Sequence, residues 1–151
     1  MEKSAKSRGL DVVTFERYAI GALDRGAAVT QMRAARPDWV FATGYINDLI
    51  LIRKQMNDLG LRPPVVTMIA GPAYREFVDA AGPLADNVSS AAWWHPAVRY
   101  NGKDVFGTTE AFNKLWDEKY KAEADYSEAS AAVAGAVLQL AIEKADSIDP
   151  K

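Results

Sequence analysis

Few side chains in this sequence are suited to covalent chemistry, and none of them stands in a catalytic pattern. His95 is the single histidine, there is no cysteine, and the aspartates are scattered along the chain. A zinc site would need several ligands at suitable spacing, and an enzyme of the acyl-transfer type would need a nucleophile beside its base. Glycine-rich phosphate-binding motifs are absent as well. We therefore predict no catalytic residue, no metal site and no cofactor.

The residues with the clearest binding potential lie in a glycine turn at 43–47. The turn follows an apolar run that predicts a strand and precedes an amphipathic pattern that predicts a helix. In open α/β sheets, ligands bind beyond the carboxyl ends of the parallel strands. Because the turn presents Tyr45 and Asn47, rather than a nucleophile or a base, we expect it to recognise a small molecule without reacting with it.

The elements that must position this turn alternate between strand and helix. Runs rich in apolar and β-branched residues predict four strands, at 11–18, 38–43, 65–70 and 88–94. Apolar residues at helical spacing predict intervening helices at 26–36, 47–59 and 74–81. This alternation predicts an α/β fold, a Rossmann-like parallel sheet of about four strands with helices on both faces.

The pattern changes after residue 94, where a polar loop leads to a C-terminal helix pair. The first helix is expected to begin at a Thr108 cap, and the second spans about 127–145. The second helix has an apolar stripe that includes Val133, Val137 and Leu140, each contributing roughly 1.5–3 kcal/mol when buried. The stripe packs either on an edge of the same sheet or against a second lobe that this sequence lacks. In the latter case, we expect the chain by itself to form homo-oligomers or to repack.

Charge and hydropathy limit the classes of partner. The net charge of −2 and the lack of a basic stripe argue against a nucleic-acid partner. Residues 1–10 lack the apolar core of a signal peptide, so no such signal is predicted in this chain. No apolar run has the length of a membrane span.

Several motifs occur in an order that resembles one protein family. They are FERYAIGALD, PDWVFATGYINDLILIRKQMNDLGL, AGPAYREFVDAAG, WWHP and DYSEASAAVAGAVLQLAIEKA. This order resembles a type I periplasmic binding protein, of the branched-chain amino acid type of ABC-transporter substrate-binding protein. The resemblance implies two α/β lobes that close over a ligand, and an ABC permease as partner. It further implies that residues 1–124 are an incomplete second lobe, and that 125–151 form a helix that packs on the missing first lobe.

The resemblance also suggests ligand-binding residues. Tyr45 matches a cleft position, and residues 71–74 match the turn after the next strand. In the amino-acid binders this second turn carries an acid that holds the ligand's ammonium group, whereas Ala73 stands here. Because a lost ion pair is costly in a desolvated cleft, we expect a carboxylate or aromatic ligand more than a leucine-like one. The predicted ligand-binding residues are Tyr45, Asn47, Gly71, Pro72, Ala73, Tyr74, Trp94 and Tyr126.

The predicted function is that of the ligand-binding lobe of an ABC-transporter solute-binding protein, which captures a small organic solute by lobe closure. The resemblance implies a periplasmic location for the full-length protein, or an extracellular, membrane-associated one. The alternative is a small Rossmann-like enzyme or regulatory domain. Such a domain would have a formed pocket containing His95 or clustered acids, and its last helix would be covered.

Overall fold

The computed structural model describes residues 2–149, which fall into two compact units. The sheet unit extends to Ala91, and the helical unit begins at Ala92. The elements of the sheet unit are α1 (Glu2–Lys6), α2 (Gly26–Ala35), β1 (Trp39–Thr43), α3 (Ile46–Asp58), β2 (Val65–Ile69), α4 (Arg75–Ala81), a 3-10 turn (Gly82–Ala85) and β3 (Val88–Ser89). The helical unit contains α5 (Thr109–Tyr120) and α6 (Tyr126–Ala145).

The strands form a parallel sheet in the order β1-β2-β3. Its register places Trp39 opposite Val65 and Thr43 opposite Ile69, so that β1 and β2 end side by side. Since α3 connects β1 to β2, and α4 with the 3-10 turn connects β2 to β3, the sheet unit consists of successive βαβ units. The predicted α/β class and the parallel sheet are confirmed.

The sheet has three strands, where about four were predicted, because residues 11–18 do not form one. Their apolar side chains, such as Val13 and Phe15, are about half exposed. A strand needs a neighbour to satisfy its backbone N–H and C=O groups, and no strand of the described residues pairs with this segment. The last predicted strand is also shorter, because pairing with β2 stops at Ser89.

Helices α3 and α4 cover one face of the sheet, and the other elements of the sheet unit leave the opposite face open, where helices on both faces were predicted. Buried Val40, Val66 and Met68 pack with apolar side chains of α3 and α4, whereas Trp39 and Phe41 are nearly half exposed. The reason is topological. Both right-handed crossovers advance in the same direction along the sheet, from β1 to β2 to β3, and therefore place their helices on the same face.

The helical unit has a small aromatic core between α5 and α6. Phe112, Ala124 and Ala129 are buried, and Trp94 and Trp116 pack against them. Each helix has a side-chain cap: the Ala111 N–H donates to Thr108 Oγ1 at 3.0 Å, and Asp125 caps α6 in a capping box with Glu128. The predicted helix pair and the Thr108 cap are confirmed.

Most of α6 is uncovered. Of its 20 residues only Ala129 is buried, and Val133, Val137 and Leu140 are more than half exposed. Within the helical unit, the described residues therefore leave the predicted stripe unsheltered. The last two residues of the predicted 125–151 segment lie outside the described part. Among the helices of residues 2–149, none is both long enough and apolar enough to cross a membrane.

Candidate functional site

The glycine turn leads directly from β1 into α3. Tyr45 is the N-cap of α3, with an extended backbone (φ −84°, ψ 161°), and its side chain is 69% exposed. Asn47, the second residue of α3, is exposed as well. Because the first amides of an α-helix have no acceptor within the helix, this end of α3 presents N–H donors beside an exposed phenol ring.

The second turn leads from β2 into α4 through residues 70–74. Ala70 has a left-handed backbone, with φ 76°, which is unusual for a residue other than glycine and implies local strain. The Tyr74 N–H then donates to the Gly71 carbonyl oxygen at 3.0 Å, and Tyr74 is the N-cap of α4. Pro72, Ala73 and Tyr74 are partly exposed.

Gly71 has a packing role. A Cβ atom at this position would lie 2.8 Å from Leu49 Cδ1 and 3.1 Å from Phe77 Cδ2, so a side chain would collide with the core of the sheet unit. The backbone of the second turn thus lies directly on this core, which fixes its height above the sheet.

The two turns lie at the same edge of the sheet. β1 and β2 are parallel neighbours, and their last residues, Thr43 and Ile69, are opposite one another. The sheet therefore brings together six of the eight predicted ligand-binding residues: Tyr45, Asn47, Gly71, Pro72, Ala73 and Tyr74. An edge of this kind can bind a small molecule through aromatic rings and backbone N–H groups.

A carboxylate for a ligand's ammonium group is missing from these turns. Residues 71–74 contain no acid, and of the acids in the first turns of the two helices, Asp48 of α3 is only 4% exposed, whereas Glu76 of α4 is exposed. Asp48 Oδ1 accepts a hydrogen bond from Arg25 Nη2 at 2.5 Å and is thereby already paired.

The two remaining predicted residues, Trp94 and Tyr126, belong to the helical unit. Trp94 packs edge-to-face on Phe112, with ring centroids 5.6 Å apart, and is part of the aromatic core. Tyr126 is the first residue of α6, and its ring centroid lies 5.5 Å from that of Trp93. Trp93 is 78% exposed. Trp93 is therefore the more exposed aromatic face in this unit, and Trp94 is partly buried.

Sequence reasoning missed Trp93 as a candidate. If 88–94 formed one strand, the two adjacent tryptophans would point to opposite faces of the sheet, and for this reason only Trp94 was predicted to bind ligand. The strand ends at Ser89, so this alternation does not apply to the tryptophans. An adjacent pair of tryptophans was itself the available signal, because both can seldom be buried.

The structure gives little support to a catalytic reading. His95 Nδ1 accepts a hydrogen bond from the Ala97 N–H at 3.1 Å, which is a local turn contact of an exposed side chain. Within residues 2–149, no three His, Cys, Asp or Glu side chains are grouped so as to hold a metal ion.

Comparison with known proteins agrees with this description. The family model described as periplasmic binding protein matches residues 1–151. The crystal structure of the leucine binding protein LivK from Thermotoga maritima is similar, with a TM-score of 0.75 and 26% sequence identity. The match covers 85% of this chain and 35% of the LivK chain, so this chain spans about a third of that protein's length. The chain belongs to the periplasmic binding protein family, in the type I, branched-chain amino acid group that its motifs resemble.

Proposed function

We propose that this chain is the ligand-binding part of an ABC-transporter solute-binding protein that captures a small organic solute. The observation that carries the proposal is the pair of turns at one sheet edge, where Tyr45 and Tyr74 follow adjacent parallel strands. In this family a ligand at such an edge is enclosed when two lobes close, which is a hinge motion and not a reaction. The proposed partner is an ABC permease, and the proposed location of the whole protein is the periplasm.

Residues 1–124 are proposed to be an incomplete second lobe, and residues 125–151 the helix that packs on a first lobe outside this sequence. The stripe of α6 supports this assignment, because it is uncovered within the helical unit, as expected for a helix whose partner is absent. The compact units divide earlier, between Ala91 and Ala92, since α5 shares a core with α6.

The proposed ligand is a small carboxylate, preferably an aromatic one. LivK is named a leucine binding protein. An amino acid is therefore the general expectation for this chain too, but Ala73 stands in the turn after β2 where the amino-acid binders have an acid, and Asp48 is already paired, so that neither turn itself offers a carboxylate to an ammonium group. The exposed ring of Tyr45 and the partly exposed Tyr74 offer flat contact, and Trp93 and Tyr126 offer the same in the helical unit.

The ligand class is tested with four probes. L-leucine and L-phenylalanine carry an ammonium group, whereas 4-methylvalerate and phenylacetate lack it. Each pair has one aliphatic and one aromatic member. Isothermal titration on the 151-residue chain measures each Kd. We expect phenylacetate to bind best, with weak affinity, since a ligand held by one lobe lacks the contacts of the other. Tightest binding of L-leucine would contradict the ligand class, and no binding of any probe would contradict the function.

An Ala73→Glu variant makes the test specific to one residue. The new carboxylate should improve the affinity for L-phenylalanine relative to phenylacetate by about tenfold or more, the usual gain from one hydrogen bond to a charged group. Ala73→Gln, of the same shape but uncharged, is the matched control and should leave the ratio of the two Kd values nearly unchanged.

A further inference from the structure

A buried polar cluster lies beside the turn that carries Tyr45. It consists of Tyr18, Arg25 and Asp48, and we call it the Arg25 cluster. Arg25 and Asp48 are 3% and 4% exposed, and Arg25 Nη2 donates to Asp48 Oδ1 at 2.5 Å. The Tyr18 ring faces the guanidinium group, with 4.7 Å between the ring centroid and Arg25 Cζ. Arg25 and Asp48 are the buried charged residues in the described part of the sheet unit, Tyr18 is partly exposed, and the proposed function does not use any of the three directly.

The cluster holds the turn on both sides of Gly44. The Tyr18 hydroxyl donates to the Thr43 carbonyl oxygen at 2.7 Å, at the last residue of β1. On the other side, Asp48 lies in the first turn of α3 and also accepts the Gly21 N–H at 3.1 Å. The chain entering the turn and the chain leaving it are therefore tied to the same group of side chains.

The contact with Tyr18 explains why residue 44 is a glycine. A Cβ atom on Gly44 would lie only 2.1 Å from the Tyr18 hydroxyl oxygen, so the hydroxyl occupies the space that any side chain would need. The glycine of the turn is thus explained by the close approach of Tyr18 and not by a left-handed backbone, since Gly44 is not among the residues with positive φ.

Arg25 is tied to α3 at a second point. Its backbone N–H donates to Gln55 Oε1 at 2.7 Å, two helical turns beyond Asp48, and Gln55 Nε2 in turn donates to Asp24 Oδ1 at 2.6 Å. The guanidinium Nη1 donates to the Asp24 carbonyl oxygen at 3.2 Å. Lysine could not reproduce this arrangement, because a single ammonium group lacks the planar fork of arginine.

We propose that the Arg25 cluster positions the Tyr45 turn for ligand binding, by fixing the backbone of residues 43–48 in the binding conformation before the ligand arrives. This inference rests on the proposed function of Tyr45. Buried ion pairs contribute little net stability compared with apolar residues of similar size, so stability alone does not account for the cluster. A turn that is already ordered loses less conformational freedom on binding, and this raises affinity without any direct contact to the ligand.

The protonation state of Tyr18 agrees with this role. Burial raises the pKa of the Tyr18 hydroxyl above its ordinary value, and the negative charge of Asp48 raises it further. The hydroxyl therefore remains a hydrogen-bond donor to the Thr43 carbonyl over the whole neutral pH range.

The test uses Tyr18→Phe, which removes only the hydroxyl. Ser89→Ala is the matched control, because Ser89 Oγ also donates to a strand carbonyl, that of Val66, at 3.1 Å in the same unit. Hydrogen exchange by mass spectrometry on the whole chain reports the order of the turn. Titration with phenylacetate and the other three probes reports affinity. We expect Tyr18→Phe to speed exchange at 44–48 and to raise the Kd by about five- to tenfold, the effect of about one net hydrogen bond.

A merely structural role predicts a different result. In that case Tyr18→Phe and Ser89→Ala would lower the melting temperature alike and leave the Kd unchanged, which would overturn the proposal. Unchanged exchange at 44–48 in Tyr18→Phe would overturn it as well. If the unaltered chain binds none of the four probes, the proposed function fails, and faster exchange confined to 44–48 would still support the positioning of the turn.

Discussion

The two units of this chain bury their apolar side chains to very different degrees. In the sheet unit the side chains of Leu49, Met56, Met68 and Phe77 are fully buried, and α3 and α4 close one face of the sheet. In the helical unit, α6 buries one residue of its 20. The sheet unit is therefore stabilised by its own core. Helix α6 has the apolar composition of a core helix, but its apolar side chains are not buried in a core.

Local interactions explain how α6 remains helical without that burial. It is rich in alanine, the best helix former, and Asp125 with Glu128 satisfies its first amide groups through a capping box. These local effects specify a helix but not what the helix packs against. The helical unit itself supplies no covering surface for most of α6, and the proposed first lobe would supply one.

The largest expected effect tests the core of the sheet unit. Phe77→Ala should lower the free energy of unfolding by about 3–5 kcal/mol, because it removes a fully buried ring. Leu138→Ala is the matched change in α6, where the side chain is 62% exposed and lies off the stripe. It should alter stability by less than about 0.5 kcal/mol. Urea denaturation at low protein concentration measures both, and similar losses for the two variants would break the contrast between the units.

The next effect concerns the uncovered stripe of α6. If the stripe associates with a second copy of the chain when the first lobe is absent, Leu140→Asp should weaken self-association by at least about tenfold, because it would bury an unpaired carboxylate. Analytical ultracentrifugation over a range of concentrations measures the change.

Leu138→Asp is the control for this experiment, since it places the same charge on another side of the same helix. It should leave association nearly unchanged. A chain that is monomeric at all concentrations, or equal effects of the two substitutions, would count against an interface on the stripe.

The sequence predicted the elements that have strong local signals. The second and third predicted strands and the helix between them agree with β1, β2 and α3 to within a residue or two. Apolar periodicity and a glycine just past the helix mark these boundaries without any tertiary information. Residues 11–18 have an equally strong strand pattern and fail to pair, because pairing depends on a neighbouring strand that no local pattern can guarantee.

The residues of the candidate site also differ in whether their positions could be predicted from the sequence. Tyr45 and residues 71–74 could be placed at one edge from sequence, since each directly follows one of two adjacent parallel strands. The Arg25 cluster could not, because the hydrogen bonds that hold the turn join residues 23 to 27 positions apart, such as Asp48 with Arg25 and with Gly21. Nothing in the spacing of these residues distinguishes them from solvated surface charges.

The smallest expected effect is the acid sensitivity that Asp24 gives to the sheet unit. The pKa of Asp24 lies below its ordinary value, first because its carboxylate accepts the Gly26 N–H at 2.7 Å and then because it accepts a hydrogen bond from Gln55. A lowered pKa means that the carboxylate stabilises the folded state above its unfolded pKa of about 3.9, and that this contribution is lost as the pH falls through the folded value.

Asp24→Asn should therefore be less stable than the unaltered chain at pH 7, and the difference should shrink below about pH 4. Urea midpoints at several pH values measure the difference, and exchange in the helical unit should be the same in both proteins. A difference that stays constant down to pH 2.5 would mean that the charge of Asp24 does not help to hold the start of α2, and that the amide of asparagine is the poorer acceptor for reasons of geometry alone.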